Sequence, residues 1–182
     1  MTERSKGKIR HFAFSVKDPW ETAEFYKDVM GLDEVSELDG PLAEGIFLTD
    51  GVVNLALLHF KDEEASQGFG TEYVGLHHIG FWVDDVVKSS KQAVEAGARW
   101  MMGDVSNPHG YEVKHWDLSG IVFDVAEHGW AGAQKNPGEA ENQIHPNPHR
   151  RLAKFDERRD AAHKAHLARK TAQAQVLAQA AE

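Results

Sequence analysis

After a polar start the chain falls into alternation. Between Ile9 and Val16, Phe12, Phe14 and Val16 share one face of an extended strand, while His11, Ala13 and Ser15 share the other. Asp18-Pro19 ends the alternation, and Trp20–Met30 reads as a helix. Asp18 suits its N-cap, Pro19 its first position and Gly31 its stop. Strands are predicted at Glu34–Leu38, Gly45–Thr49 and Val52–Phe60, with Asp50-Gly51 as a hairpin turn. Lys61–Tyr73 is charged and contains Gly, and reads as a linker. The order then recurs: a strand at Leu76–Val83, a helix at Asp85–Ala96, and strands at Arg99–Asp104, Tyr111–Trp116 and Ile121–Ala126. A turn at Asp117-Leu118-Ser119-Gly120 joins the last two.

The recurrence is also one of residues. His11-Phe12-Ala13-Phe14-Ser15-Val16-Lys17-Asp18 returns as His78-Ile79-Gly80-Phe81-Trp82-Val83-Asp84-Asp85, and both read His-x-small-Phe-x-Val-x-Asp. A repeat of this length implies two copies of one supersecondary unit. In each copy the His lies on the less apolar strand face, beside a very small residue that leaves room for the ring. A matched pair of this kind predicts two imidazoles presented to one shared site. The expected fold class is α+β: two tandem β-α-β-β-β modules over residues 8–60 and 75–130, joined by a linker at 61–74. Residues 131–182 add a polar linker and a C-terminal helix, drawn at Arg150–Ala181 from its Ala, Arg, Lys and Gln content.

Composition narrows the functional classes. The 182 residues are 41% hydrophobic, enough for one folded domain or two small modules with a shared core. No run of 18 apolar residues exists to span a membrane, and the polar N-terminus leading into a strand does not read as a signal peptide. The absence of Cys excludes disulfides, thiol catalysis and Cys-type metal sites, and a cytoplasmic location is expected. A net charge of -9 argues against nucleic-acid binding. Residues 134–182 run against that charge, with nine Lys/Arg and six Asp/Glu. This tail could lie on the acidic body, on a neighbouring subunit or free in solvent. Its histidines His145, His149, His163 and His166 are expected on solvated faces.

Two histidines need a further ligand to hold a metal, commonly a carboxylate. Asp124 interrupts the apolar run Ile121-Val122-Phe123-Asp124-Val125. A carboxylate buried there needs a cation, either a metal or an Arg or Lys side chain. Glu127 competes for the role, but its odd offset places it on the opposite face unless the strand bulges.

Several segments together resemble the vicinal oxygen chelate superfamily, which includes glyoxalase I, methylmalonyl-CoA epimerase, the extradiol dioxygenases and the fosfomycin and bleomycin resistance proteins. They are Arg10-His11-Phe12-Ala13-Phe14, Glu24-Phe25-Tyr26-Lys27-Asp28-Val29-Met30-Gly31-Leu32, Gly75-Leu76-His77-His78-Ile79-Gly80-Phe81-Trp82-Val83-Asp84-Asp85, and Asp117-Leu118-Ser119-Gly120-Ile121-Val122-Phe123-Asp124-Val125. The resemblance implies a U-shaped mixed sheet around one divalent metal, with His11, His78 and Asp124 as ligands and His77 turned toward the helix side. It also implies a small-molecule substrate and a homodimer or higher homo-oligomer. Two positions depart from the family pattern. The fourth ligand of glyoxalase and epimerase members would fall near Ala56, and the epimerase general base near Leu48. Neither side chain can serve.

Two His and one carboxylate with open positions form the facial set associated with non-haem Fe(II) and O₂. The first expectation is therefore an extradiol-like Fe(II) dioxygenase, with Fe(II) favoured over Mn, Co, Ni or Zn. Lys114, His115 and Tyr111 are the candidates for polarising a substrate; the active-site Tyr of the extradiol members would align near Lys114. The second reading is a glyoxalase- or epimerase-like lyase or isomerase that draws its base from Lys114, His59 or His115. The third is a non-catalytic binding protein of the resistance type, its cleft lined by Phe47, Trp82, Trp100 and Trp116.

Overall fold

A computed structural model describes residues 6–106, 112–136 and 151–180. The first unit comprises β1 (Lys8–Ser15), α1 (Pro19–Met30), β2 (Asp33–Asp39), β3 (Ala43–Thr49) and β4 (Asn54–Phe60). The second repeats it with β5 (Gly75–Trp82), α2 (Val86–Glu95), β6 (Arg99–Met102), β7 (Val113–Trp116) and β8 (Val122–Ala126). After a single 3₁₀ turn at Ala153–Phe155, α3 (Asp156–Ala180) closes the chain.

Local chemistry explains the boundaries. The Asp18 carboxylate accepts a hydrogen bond from Glu21 N at 2.9 Å and Pro19 opens α1. Gly31 ends that helix in the left-handed region at φ 68°. Asp85 caps α2 in the same way through Lys88 N at 2.8 Å. Strand β4 begins at Asn54 rather than Val52. The Asp50 carboxylate takes the amides of Val52 and Val53 at 2.9 and 2.8 Å and keeps both in the turn.

The strands form one eight-stranded mixed sheet in the order β2-β3-β4-β1-β5-β8-β7-β6. Each unit pairs its first strand parallel to its last (β1 with β4, β5 with β8), and the units join where β1 runs antiparallel to β5. That central seam explains the repeated motif. Its register sets His11 against Gly80 and His78 against Ala13. The small residue of each copy thus makes room for the imidazole of the other. A Cβ at Gly80 would lie 2.6 Å from His11 Nδ1, so only glycine fits there.

Helices pack on one face of the sheet. Val16, Trp20, Ala23, Ile46, Leu48 and Leu57 form the core under α1, and Val83, Val86, Val113 and Val125 the core near α2. Leu48, at the family's base position, is fully buried in the first of these. The other face of the first unit holds Ala13, Ala43, Phe47, Ala56, Leu58 and Phe60, against which Trp130 packs. The segment after β8 crosses this face, tied by Asn54 Nδ2 to Ala131 O at 2.7 Å and by Thr49 Oγ1 to Gly132 O at 2.8 Å.

The described part of the C-terminal segment, residues 151–180, docks on the acidic body. Phe155 packs on Trp20 with ring centroids 4.4 Å apart, and Ala162 joins the same core. Ion pairs link Arg159 to Glu37, Arg169 to Glu21 and Lys170 to Asp28. His166, expected on a solvated face, is instead buried and reaches Asp28 of α1 at 3.0 Å, while His163 lies on an exposed face as expected and pairs there with Glu24 at 2.6 Å. The sparse apolar positions of α3 concealed this docking face, because its partners are mostly charges. His145 and His149 lie outside the described residues.

Candidate metal centre

The seam brings two imidazoles together and β8 brings a carboxylate to them. The His11 and His78 rings lie edge to face with centroids 5.0 Å apart. Asp124 is fully buried on β8, opposite Gly80 of β5 and Lys114 of β7. Its Oδ2 stands 3.2 Å from His11 Nε2 and 3.5 Å from His78 Nε2. Atoms about 2.1 Å from one shared ion sit roughly 3.0–3.4 Å apart, so these spacings suit a divalent cation. Asp124 Oδ2 has no hydrogen-bond partner among the described residues, an unusual state for a buried carboxylate oxygen and one that a cation would relieve.

Glu112 adds a fourth donor. One donor atom from each of His11, His78, Glu112 and Asp124 falls within 4.8 Å of the others. Glu112 immediately precedes β7 and reaches Lys114, two residues on, whose partner across the sheet is Asp124. At the position of the family's usual fourth ligand, Ala56 belongs to the apolar cluster under Trp130. The Trp130 ring stacks on Phe47 and meets His11 edge-on, and its Nε1 donates to Glu112 Oε1 at 3.2 Å. The fold therefore takes its second carboxylate from the opposite unit.

Two cations are woven into the cluster. Arg10 Nη2 donates to Asp124 Oδ1 at 2.5 Å and to Glu112 Oε1 at 2.6 Å. Its Nη1 reaches His128 O at 3.2 Å, and its guanidinium lies 5.3 Å from the Trp130 ring centroid. Arg10 so takes one oxygen of each carboxylate and leaves Asp124 Oδ2 to face the two imidazoles. Lys114 Nζ lies 2.7 Å from Glu112 Oε2, 3.1 Å from His78 Nε2 and 3.8 Å from Asp124 Oδ2.

Two β-bulges aim side chains that simple alternation would send elsewhere. A register shift between Ile9 and His11 skips Arg10, whose side chain turns into the cluster. A second shift skips His77, which does not face the helices. It stacks on Phe60 at 4.1 Å and sets its Nδ1 2.8 Å from His78 Nδ1. The network assigns the tautomer. Lys114 can only donate, so His78 Nε2 accepts. His78 Nδ1–H then donates to His77 Nδ1, and the Nε2 lone pair faces the centre, as metal ligation requires.

The electrostatics leave every donor in its ligand form at neutral pH. Burial alone would raise Asp124, but Arg10, His11 and Lys114 override it and hold the carboxyl well below its usual range. Glu112 is lowered too: burial and Asp124 push it up, and Lys114 and Arg10 more than reverse them. Burial pushes both His78 and His11 down, with Lys114 adding to the effect at His78 and Arg10 at His11. Both rings are thus neutral, with lone pairs available.

Of the expected site residues, His11, His78, Asp124 and Lys114 come together. His115 does not. It faces α2, its Nε2 2.8 Å from Ser90 Oγ and its ring stacked on Phe123, which makes it a buried structural residue. Tyr111 lies outside the described residues. Glu127 accepts a hydrogen bond from Val86 N at 2.9 Å and caps α2, consistent with its opposite face. His59 points toward Val16 O at 3.4 Å, away from the cluster. The cleft aromatics scatter: Trp82 is buried, Phe47 lies under Trp130, and Trp100 is exposed. Among the described residues, no helix is long and apolar enough to cross a membrane.

Comparison with known proteins agrees with this geometry. The profile of the Glyoxalase/Bleomycin resistance protein/Dioxygenase superfamily matches residues 8–130, and the chain belongs to that family. No curated protein sequence matches significantly. Among solved structures, a hypothetical protein from Bacillus halodurans C-125 is 18% identical with a TM-score of 0.54, over 74% of this chain and 99% of that one. A variant of Streptomyces coelicolor methylmalonyl-CoA epimerase in complex with 2-nitronate-propionyl-CoA is 20% identical with a TM-score of 0.54, over 65% and 94%. Methylmalonyl-CoA epimerase from Mycobacterium tuberculosis is 17% identical with a TM-score of 0.53, over 69% and 89%. At these identities the likeness is one of fold.

Proposed function

We propose that this protein is a metal-dependent lyase or isomerase that moves a proton on a carbon next to the carbonyl of a small organic substrate. The observation that carries the reading is Glu112. The facial-set expectation rested on the loss of a fourth ligand at Ala56, and Glu112 restores a four-donor set of two His and two carboxylates. A fourth protein ligand leaves less room for substrate and O₂ to bind side by side.

A bound divalent ion would supply Lewis-acid polarisation of a substrate oxygen. The chain's own residues do the rest. His11, His78, Glu112 and Asp124 would hold the ion, and Arg10 fixes the outer oxygens of both carboxylates. His77 locks the His78 ring. Lys114, on a flexible stem beside the donors, would be the group that delivers a proton to the substrate once the ion has taken over the lone pairs it contacts. The identity of the metal is left to Zn, Co, Ni, Mn or Fe.

One observation favours a second reading. Glu112 is also held by Arg10, Lys114 and Trp130. If it keeps those partners, His11, His78 and Asp124 remain as a 2-His-1-carboxylate set, the arrangement of an Fe(II) dioxygenase. Metal-loaded protein incubated anaerobically in D₂O with α-hydroxy ketones, hemithioacetals and acyl thioesters separates the two. The proposal expects deuterium at the carbon beside the carbonyl, and loss of that label in K114M. Turnover of catechols that consumes O₂, with no anaerobic labelling, would overturn it.

A further inference from the structure

Lys114 occupies an unexpected place for a base awaiting substrate. Its Nζ contacts Glu112 Oε2 and His78 Nε2 at 2.7 and 3.1 Å and lies 3.8 Å from Asp124 Oδ2. These three atoms belong to the same four residues that form the donor cluster. An ammonium has no lone pair, so its position where acceptor lone pairs converge is that of a cation. Resting on the metal-centre reading above, we propose that Lys114 is a tethered cation that fills the metal's place in the metal-free protein and must leave for a divalent ion to bind.

The charge balance supports this. Two carboxylates, Glu112 and Asp124, face two cations, Arg10 and Lys114. The four buried or nearly buried charges cancel. A divalent ion added to that set would leave two uncompensated positive charges in a low-dielectric site, and the Lys114 ammonium would repel it at close range. Arg10 cannot leave, because it is 2% exposed and bonded to both carboxylates and to His128 O. Lys114 can. Its side chain is 12% exposed, and a flexible four-carbon stem lets the head swing to solvent. Loading is then an ion exchange in which one tethered positive charge is given up for a free divalent one.

Two consequences follow. The metal-free site is charge-neutral, so its two carboxylates do not repel one another unopposed when no ion is bound. Lys114 also sets the affinity threshold, since every ion must displace it. Removing the ammonium should tighten metal binding about 10- to 100-fold, the range of one charge-assisted hydrogen bond. A residue that merely braced the strand would not tighten binding when removed.

The test is Co²⁺ affinity of the full chain, by chelator competition read through the visible d–d bands, for wild type, K114M, K114Q and K114R. The proposal expects K114M and K114Q to bind about 10- to 100-fold tighter than wild type, and K114R, which keeps the charge, to bind no tighter. K114Q covers the case in which K114M fails to fold. If wild type binds Co²⁺ and both neutral variants bind it equally or more weakly, the ion-exchange proposal is overturned and the metal centre stands. If none of the four binds Co²⁺, both fall.

Discussion

Replacing Arg10 with Leu tests how the site is held before any metal arrives. The substitution removes the hydrogen bonds to Asp124 Oδ1 at 2.5 Å, Glu112 Oε1 at 2.6 Å and His128 O at 3.2 Å, and the contact with Trp130. It leaves two buried carboxylates with only Lys114 to offset them. Removing one partner of a buried ion pair costs about 3–5 kcal/mol, because the remaining charge stays desolvated. Part of that cost is relieved as Asp124 rises from its depressed value, since Arg10 is the largest influence opposing burial there. For a domain of this size the loss corresponds to a fall in Tm of about 6–20 °C. A saturating divalent ion should recover much of it, because the ion supplies positive charge to the same oxygens. Urea denaturation with EDTA and with Co²⁺ measures both effects. A loss under about 1 kcal/mol in EDTA would refute the claim that Arg10 neutralises this pair.

Gly80→Ala places a Cβ against the His11 ring, 2.6 Å from Nδ1, so it should displace that imidazole and weaken Co²⁺ binding by about tenfold or more while the sheet persists. Circular dichroism alongside metal titration separates a lost site from a lost fold. His115→Ala should cost about 2–4 kcal/mol by removing the Ser90 hydrogen bond and the Phe123 stack, with Co²⁺ affinity changed less than twofold; a large affinity change would place His115 in the site after all. Burial and then the Lys114 charge push His77 down to about 4. The unfolded chain therefore takes up that proton first. Metal-free stability should be complete above about pH 6.5 and fall toward pH 4, with about 3 kcal/mol due to His77. Urea midpoints for His77→Phe across that range should show a shallower decline, and an unchanged slope would contradict the assignment.

Much of this site was legible in the sequence, and the rest was hidden for identifiable reasons. The repeated motif exposed both histidines; Gly80 proved to be the seat of the His11 ring across the β1–β5 seam, where Ala13 pairs with His78. Asp124 was legible because a charge inside an apolar strand must find a cation, and it found Arg10 beside the donors. Arg10 and His77 were hidden by bulges, which break the two-residue period on which face assignments depend. Glu112 carried a usable signal: it stands two residues before Lys114 in the predicted strand Tyr111–Trp116, a spacing that would put both on the face paired with Asp124. His115 was misjudged because its offset from Lys114 is odd. The docking of α3 escaped a search for apolar periodicity because Arg159, His163, His166, Arg169 and Lys170 hold it through acidic partners.

The central claim is one divalent ion per chain, held by the four-donor cluster. Its most direct test is Co²⁺ titration of wild type, His78→Ala and Asp124→Asn, followed by calorimetry and the d–d bands. The account predicts a stoichiometry of about one in wild type and loss of tight binding in both variants, each folded by circular dichroism. Binding that survives both substitutions unchanged, or no binding to wild type, would contradict it.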